Sequence, residues 1–126
     1  MVGLVVVSHS ANAAEGIVEV AAEMGGDTAI EAAGGDSGGE IGTNVDRISD
    51  AFVAADDGDG VVVLVDLGSA VMNAEVAIEM HDGEAVIADC PVLEGAVNAA
   101  VAATDPKATL ESVVEQAEAA ADIDKT

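Results

Sequence analysis

The sequence predicts an α/β fold, an open parallel four-stranded sheet with helices on both faces. Three observations carry this expectation. Short apolar runs alternate along the chain with stretches of helical periodicity, and that alternation builds parallel sheets through crossover helices. The clearest runs, "VGLVVV" and "VVVLV", are continuous rather than alternating, as strands buried on both faces must be. Apolar residues make up 51% of the 126, enough to build the core of one domain spanning 1–126.

Each element follows in order. Val2 to Val7 reads as the first buried strand. From Ala11 to Met24, Ala14, Ile17, Val18 and Ala21 recur at helical spacing, and Gly25-Gly26 ends that helix. Thr28 to Ala33 is a weaker second strand. A glycine-dense loop, "GGDSGGEIGTN", runs from Gly34 to Asn44. In it Thr43 and Asp46 have the spacing of a capping pair, opening a helix that turns Val45, Ile48 and Phe52 inward. The turn "DDGDG" leads to the third strand, Val61 to Val65, which ends at Asp66. Ser69 is placed to cap a helix running to about Met80. His81-Asp82-Gly83 turns into a short fourth strand, Ala85 to Ala88. Pro91 starts a helix with Leu93, Val97, Ala100 and Val101 on one face. Asp105-Pro106 starts a last helix, striped with Leu110, Val113, Val114 and Ala117. No internal repeat or linker interrupts this βαβαβαβαα order.

Composition narrows the function classes. There is no Trp, no Tyr and a single Phe, so Val, Ala, Ile and Leu fill the core, with Met24, Met72 and Met80 expected as filler. Net charge is −22, with 25 acidic residues against Arg47, Lys107 and Lys125. Self-repulsion on that scale opposes a compact fold in dilute buffer, whereas at molar salt the Debye length falls to about 3 Å and screens it. The charge therefore suggests a halophilic protein adapted to a very salty cytoplasm. It argues against nucleic acid and anionic membranes, which need basic patches. One cysteine, Cys90, excludes an internal disulfide. The start, "MVGLVVVSHS", has no basic region ahead of its apolar run, so it does not read as a signal peptide. No apolar run approaches the ~18 residues of a membrane span. A cytoplasmic protein is expected.

Strand ends sort the polar residues. In open parallel sheets ligands bind beyond the carboxyl ends of the strands, where connections leave in opposite directions. His9, the glycine loop, Asp66 to Ser69 and Cys90 fall on that edge, while His81 and the Asp57 to Asp59 turn fall on the other. With strand order 2-1-3-4, His9 and Asp66 face each other across the crevice. His9 also precedes a helix N-terminus, which favours anions, and Gly34, Gly35, Gly38, Gly39 and Gly42 can bring backbone N–H groups near a phosphate. An imidazole attacks phosphorus through an uncharged nitrogen while its other N–H is held by an acceptor such as Asp66. Ser8 and Ser10 then flank the phosphoryl oxygens. By position alone, His9 reads more often as a hydrogen-bonded loop residue, and Asp66 as often as a helix-capping or loop carboxylate.

The segments "VVVSHS", "GGDSGGEIGTNVDRI", "DGVVVLVDLGSAVMNAE" and "CPVLEGAVNAAVAA" cover most of the chain in order. Through them the sequence resembles the phosphoryl-carrier subunits of phosphoenolpyruvate-dependent dihydroxyacetone kinases, a family related to mannose-type IIA domains. "DLGSAVMNAE" is the most specific match. The resemblance implies a mannose-type IIA-like fold and a homodimer. It implies that the small carrier HPr phosphorylates His9 and that the phosphoryl group passes to ADP on a second subunit. The resulting ATP phosphorylates dihydroxyacetone on a third. It implies that Asp66 orients His9, that Thr43 and Ser69 contact the oxygens, and that Gly42 and Gly68 shape the loops. The only intermediate is a transient phosphohistidine; neither metal nor cofactor is implied. HPr-like and enzyme I-like modules, fused in some relatives, are expected as separate proteins.

Other readings carry less. A sugar-permease IIA component differs only in its final acceptor. A response-regulator receiver shares a strand-end aspartate but wants acids after the first strand and a late lysine, where this chain has Ser-His-Ser and no such lysine. A non-catalytic binding module of the same fold takes up no phosphoryl group. "ADDGDGVVVLVD" fails as a calcium loop, because its first ligand position is Ala55 and it runs into a strand. No Walker or dinucleotide motif occurs, and two histidines with one cysteine, dispersed, make a poor zinc set. Arg47 suits either a partner interface, a phosphate or a surface ion pair; Cys90 reads as a partly buried structural thiol.

Overall fold

A computed structural model describes residues 1–126. The elements are β1 (Gly3–Ser8), α1 (Ala11–Met24), β2 (Ile30–Gly34), α2 (Val45–Ala55), β3 (Val61–Val65), α3 (Ser69–Met80), β4 (Ala85–Ile87), α4 (Val92–Ala103) and α5 (Leu110–Glu118), followed by a short 3₁₀ turn, Ala119–Asp122. All four strands are parallel, in the order β2-β1-β3-β4. The expected fold class and strand order are those observed. Strands β1 and β3 are central because their valines tolerate burial on both faces, and every residue of β1 is buried.

The two-residue period of β1 divides the core. Val2, Leu4 and Val6, with Val62 and Leu64, face α1, α4 and α5. Val5 and Val7, with Val61 and Val63, face α2 and α3 around Phe52 and Ile48. The helices contribute mainly alanines, among them Ala70, Ala74 and Ala77 on α3 and Ala96, Ala99, Ala100 and Ala103 on α4. Bulky strand side chains fill the space between the layers, so only small helix residues fit beneath them.

Five expectations are corrected. The buried face of α4 is Gly95, Ala96, Ala99, Ala100 and Ala103, while Leu93 and Val101 are exposed. Met24, Met72 and Met80 are not core filler but lie in solvent, because the core has no gap of their size. Asp105-Pro106 does not start the last helix. Asp105 closes a turn by accepting from Lys107 N–H at 2.8 Å, and α5 starts later, where Thr109 and Ser112 form a reciprocal capping box. Thr43 is not the cap of α2 either. Asn44 takes that place, its Oδ1 accepting from Arg47 N–H at 2.9 Å. Nor does Ser69 cap α3; it is the first helical residue, and the N-cap, Gly68, has no side chain to use.

With 25 acidic residues on so thin a core, stability is expected to follow ionic strength. Thermal unfolding followed by circular dichroism should shift upward by about 10 °C, or ~2 kcal/mol, between roughly 0.1 M and 2 M KCl. An unfolding midpoint insensitive to salt would contradict this.

Candidate active site

The parallel pairing of β1 with β3 sets Val7 opposite Val65. Both strands therefore end at one height, and Asp66 N–H donates to the Val7 carbonyl at 3.1 Å. The next side chains meet across the crevice. Asp66 Oδ1 lies 3.0 Å from His9 Nδ1, while its Oδ2 accepts from His9 N–H and from Ser8 Oγ, both at 2.9 Å. One carboxylate thus holds the histidine by its ring and by its peptide. Burial raises the pKa of Asp66, but the His9 N–H, the His9 ring and the Ser8 hydroxyl outweigh it and hold the carboxyl below its ordinary value.

An ionised Asp66 can only accept, so it fixes the proton of a neutral His9 on Nδ1 and leaves the lone pair on Nε2. Nε2 lies 2.9 Å from Ser69 Oγ at the solvent-exposed rim. Ser69 donates to it and can rotate away when another group arrives.

The remaining expected residues fall into two groups. Gly42 and Ser69 contact His9 from two connections, with Thr43 and Gly68 beside them in the chain. Gly42 N–H donates to the His9 carbonyl at 2.8 Å, from a backbone at φ 147° that only glycine adopts comfortably. Thr43 Oγ1 accepts from Asn73 Nδ2 at 2.7 Å. Ser8 and Ser10 flank His9 in the chain. Ser8 is buried and joins Asp66 to the Ser10 N–H, and Ser10 Oγ caps α1 by accepting from Ala13 N–H at 3.1 Å. The N–H groups of Ala11 and Asn12 on α1, and of Gly68 and Ser69 at α3, make no hydrogen bond within the protein. Two helix N-termini thus flank His9, both favourable to an anion.

The glycine loop is not the amide cradle expected from its composition. Asp36 Oδ1 accepts from Gly38 and Glu40 N–H, both at 2.9 Å, and Gly39 and Gly35 N–H donate to the Asp36 and Ser8 carbonyls. These amides are spent on folding the loop. Gly34 has a different duty: a Cβ there would lie 2.5 Å from the Ser10 carbonyl, so its absence lets β2 reach the start of α1. Asn73 and Asp36 are the residues the sequence reading missed. The four-residue spacing from Ser69 to Asn73 was the available signal for the first.

Other candidates lie apart. Arg47 reaches the Gly34 carbonyl at 3.4 Å and makes no ion pair. His81 sits on the opposite edge, 2.7 Å from Asp56. Burial, with Glu118 and Asp89 nearby, pushes the half-buried Cys90 thiol up to about 11, which keeps it protonated at neutral pH. No helix is long and apolar enough to cross a membrane.

Asp66→Asn should disable the site without unfolding it. An amide cannot accept from both His9 N–H and His9 Nδ1–H; turned to satisfy the first, it donates to the ring and moves the proton to Nε2. The ¹⁵N shifts of the imidazole should report the proton moved from Nδ1 to Nε2, and unchanged shifts would contradict this. The linkage has a definite sign. A carboxyl depressed from 3.8 stabilises the fold fully above that value and loses this share as pH falls through its folded value. The wild-type advantage over Asp66→Asn in chemical unfolding should therefore be complete at neutral pH and shrink below about pH 4.

The chain is similar to known proteins over most of its length. The phosphotransferase subunit DhaM of the PTS-dependent dihydroxyacetone kinase of Lactococcus lactis is 39% identical over 116 residues, covering 92% of this chain and 93% of the relative. A phosphoryl donor subunit DhaM of a PEP-dependent dihydroxyacetone kinase from Listeria innocua is 40% identical over 106 residues, covering 80% and 85%. The DhaM of Escherichia coli is 36% identical over 111 residues, which is 82% of this chain but 24% of that longer protein. Among solved structures, the crystal structure of EF1359, a protein of unknown function, superposes with a TM-score of 0.81 at 30% identity, covering 93% of this chain and 92% of that one. The family model EIIA-man, PTS system fructose IIA component, matches residues 3–114. That match over residues 3–114, with relatives at 39% and 40% identity covering most of both chains, makes the chain a member of the EIIA-man family.

Proposed function

We propose that the chain is a cytoplasmic phosphohistidine carrier, the phosphoryl-donor subunit of a phosphoenolpyruvate-dependent dihydroxyacetone kinase. In this reading HPr is the donor. Its phosphoryl group passes through His9 to ADP on an ADP-binding kinase subunit, and the ATP formed there phosphorylates dihydroxyacetone on a dihydroxyacetone-binding subunit. Two copies of the chain associate as a homodimer. The names of the relatives support the kinase over a sugar-permease IIB domain as acceptor.

The observation that carries the reading is the 3.0 Å contact between Asp66 Oδ1 and His9 Nδ1, with Nε2 left at the rim. The His9 Nε2 lone pair attacks the phosphorus of the donor's phosphohistidine, and the donor N–P bond breaks with its electron pair staying on the donor nitrogen. The Nδ1 proton stays in place, and Asp66 balances the positive character that the ring gains. Ser69 turns from Nε2 to a phosphoryl oxygen, joined by Thr43 and the free N–H groups of the two helix starts. Ser8 and Ser10 support the geometry. Transfer onward reverses these motions.

The openness of the site also favours a carrier over a small-molecule binding module. The cleft of about 590 Å³ between α4 and α5 is lined by neither His9 nor Asp66. A carrier needs a shelf that another protein closes, not a pocket. An acidic donor meeting this acidic surface needs high salt, which ties the halophilic reading to the transfer itself.

The test is labelling in about 2 M KCl, the salt that screens such charge. Phosphorylated HPr should place an acid-labile, base-stable label on the wild type and none on His9→Ala. Labelled protein mixed with an ADP-loaded kinase subunit should yield ATP. Label that persists on His9→Ala would falsify the mechanism, and transfer only to a permease domain would change the acceptor.

A further inference from the structure

Resting on the phosphoryl-carrier reading, we propose that Asn73 is a positioning residue for the transfer, acting through the hydroxyl of Thr43. The two lie on different elements, thirty residues apart in sequence. Helix α3 presents Ser69 and Asn73 four residues apart, on one face. The first touches the reacting nitrogen, with Ser69 Oγ 2.9 Å from His9 Nε2. The second donates its amide to Thr43 Oγ1 at 2.7 Å.

A hydroxyl has one proton and two lone pairs. Asn73 fills one lone pair, which leaves the Thr43 proton to be donated elsewhere and polarises its O–H bond. Thr43 follows Gly42, whose N–H is bonded to the His9 carbonyl. The hydroxyl is thus held from two directions, through the peptide of His9 and through α3.

Local structure supplies no other reason for this bond. Asn44, not Thr43, caps α2, and no side chain caps α3. Asparagine inside a helix costs stability relative to the straight-chain residues around it. What the Asn73–Thr43 bond provides is a hydroxyl of fixed direction, one residue along from the Gly42 amide that binds the His9 carbonyl. Asn73 itself does not touch the phosphoryl group, and Thr43 donates a hydrogen bond without giving up its proton. The bonds made and broken at phosphorus are unchanged.

The rate of His9 phosphorylation by phosphorylated HPr, measured by rapid quench in about 2 M KCl, tests this. Thr43→Val and Asn73→Ala should each lower the saturating rate about tenfold while the half-saturating donor concentration stays the same, because the hydroxyl serves the transition state rather than docking. The double variant should be no slower than Thr43→Val alone, since both remove one device. Thr43→Ser should keep the rate within about twofold. Asn73→Asp is isosteric, takes the Thr43 proton and adds a charge, and should be slower than Asn73→Ala at an unchanged unfolding temperature. A wild-type rate in Asn73→Ala, or a double variant slowed by the product of the single effects, overturns the inference and leaves the carrier reading standing. Label on His9→Ala removes the carrier reading and this inference with it.

Discussion

The pairing of β1 with β3 is the constraint on which the rest depends. Parallel strands have no hairpin to fix their register, so it is set by which valines enter which half of the core. Val5 and Val7 belong with Val61 and Val63, and Leu4 and Val6 with Val62 and Leu64. A slip by one residue would turn each set to the wrong face. It would also part His9 from Asp66, because these two follow directly from Val7-Ser8 and Val65. Core packing and site geometry are therefore one specification. The aspartate does not need to find the histidine; the sheet delivers both to the same height.

From that meeting the site builds outward with few parts. Asp66 spends both oxygens on two consecutive residues, so ring and backbone are fixed together. The glycine loop then fastens to the His9 carbonyl, and α3 meets the far ring nitrogen through Ser69. These contacts come from two crossover connections, β2 to α2 and β3 to α3. The result is an imidazole of defined tautomer on an open rim, which suits a group that two larger partners approach in turn. A deep pocket would protect a small ligand but would keep a protein donor out.

Much of this was legible in the sequence because the strongest signals were local. Continuous valine runs mark buried strands, their ends mark the ligand edge, and His9 and Asp66 stand at two such ends. What escaped reading depended on contacts between distant residues. Thr43 looked like a cap because its spacing to Asp46 fits, yet Asn44 took the role and Thr43 turned to Asn73. The glycines of the loop looked free to bind an anion, and nothing local showed that Asp36 would consume their amides. On α4, helical spacing alone does not tell which face is buried. Leu93 and Val101 are larger than Ala96 and Ala99, but the strands beneath had already filled the space.

The alanine-lined helix faces have a consequence for how this interior tolerates change. Most cores are vulnerable to truncation, since removing methylenes leaves holes. Here α3 and α4 have almost nothing to trim, so the sensitive direction is enlargement: a single added methyl on Ala74 or Ala99 must prise a whole layer from the sheet. Drift toward larger side chains is therefore barred across two of the helices, whereas the outward Met72 and Leu93 positions remain free to vary in size.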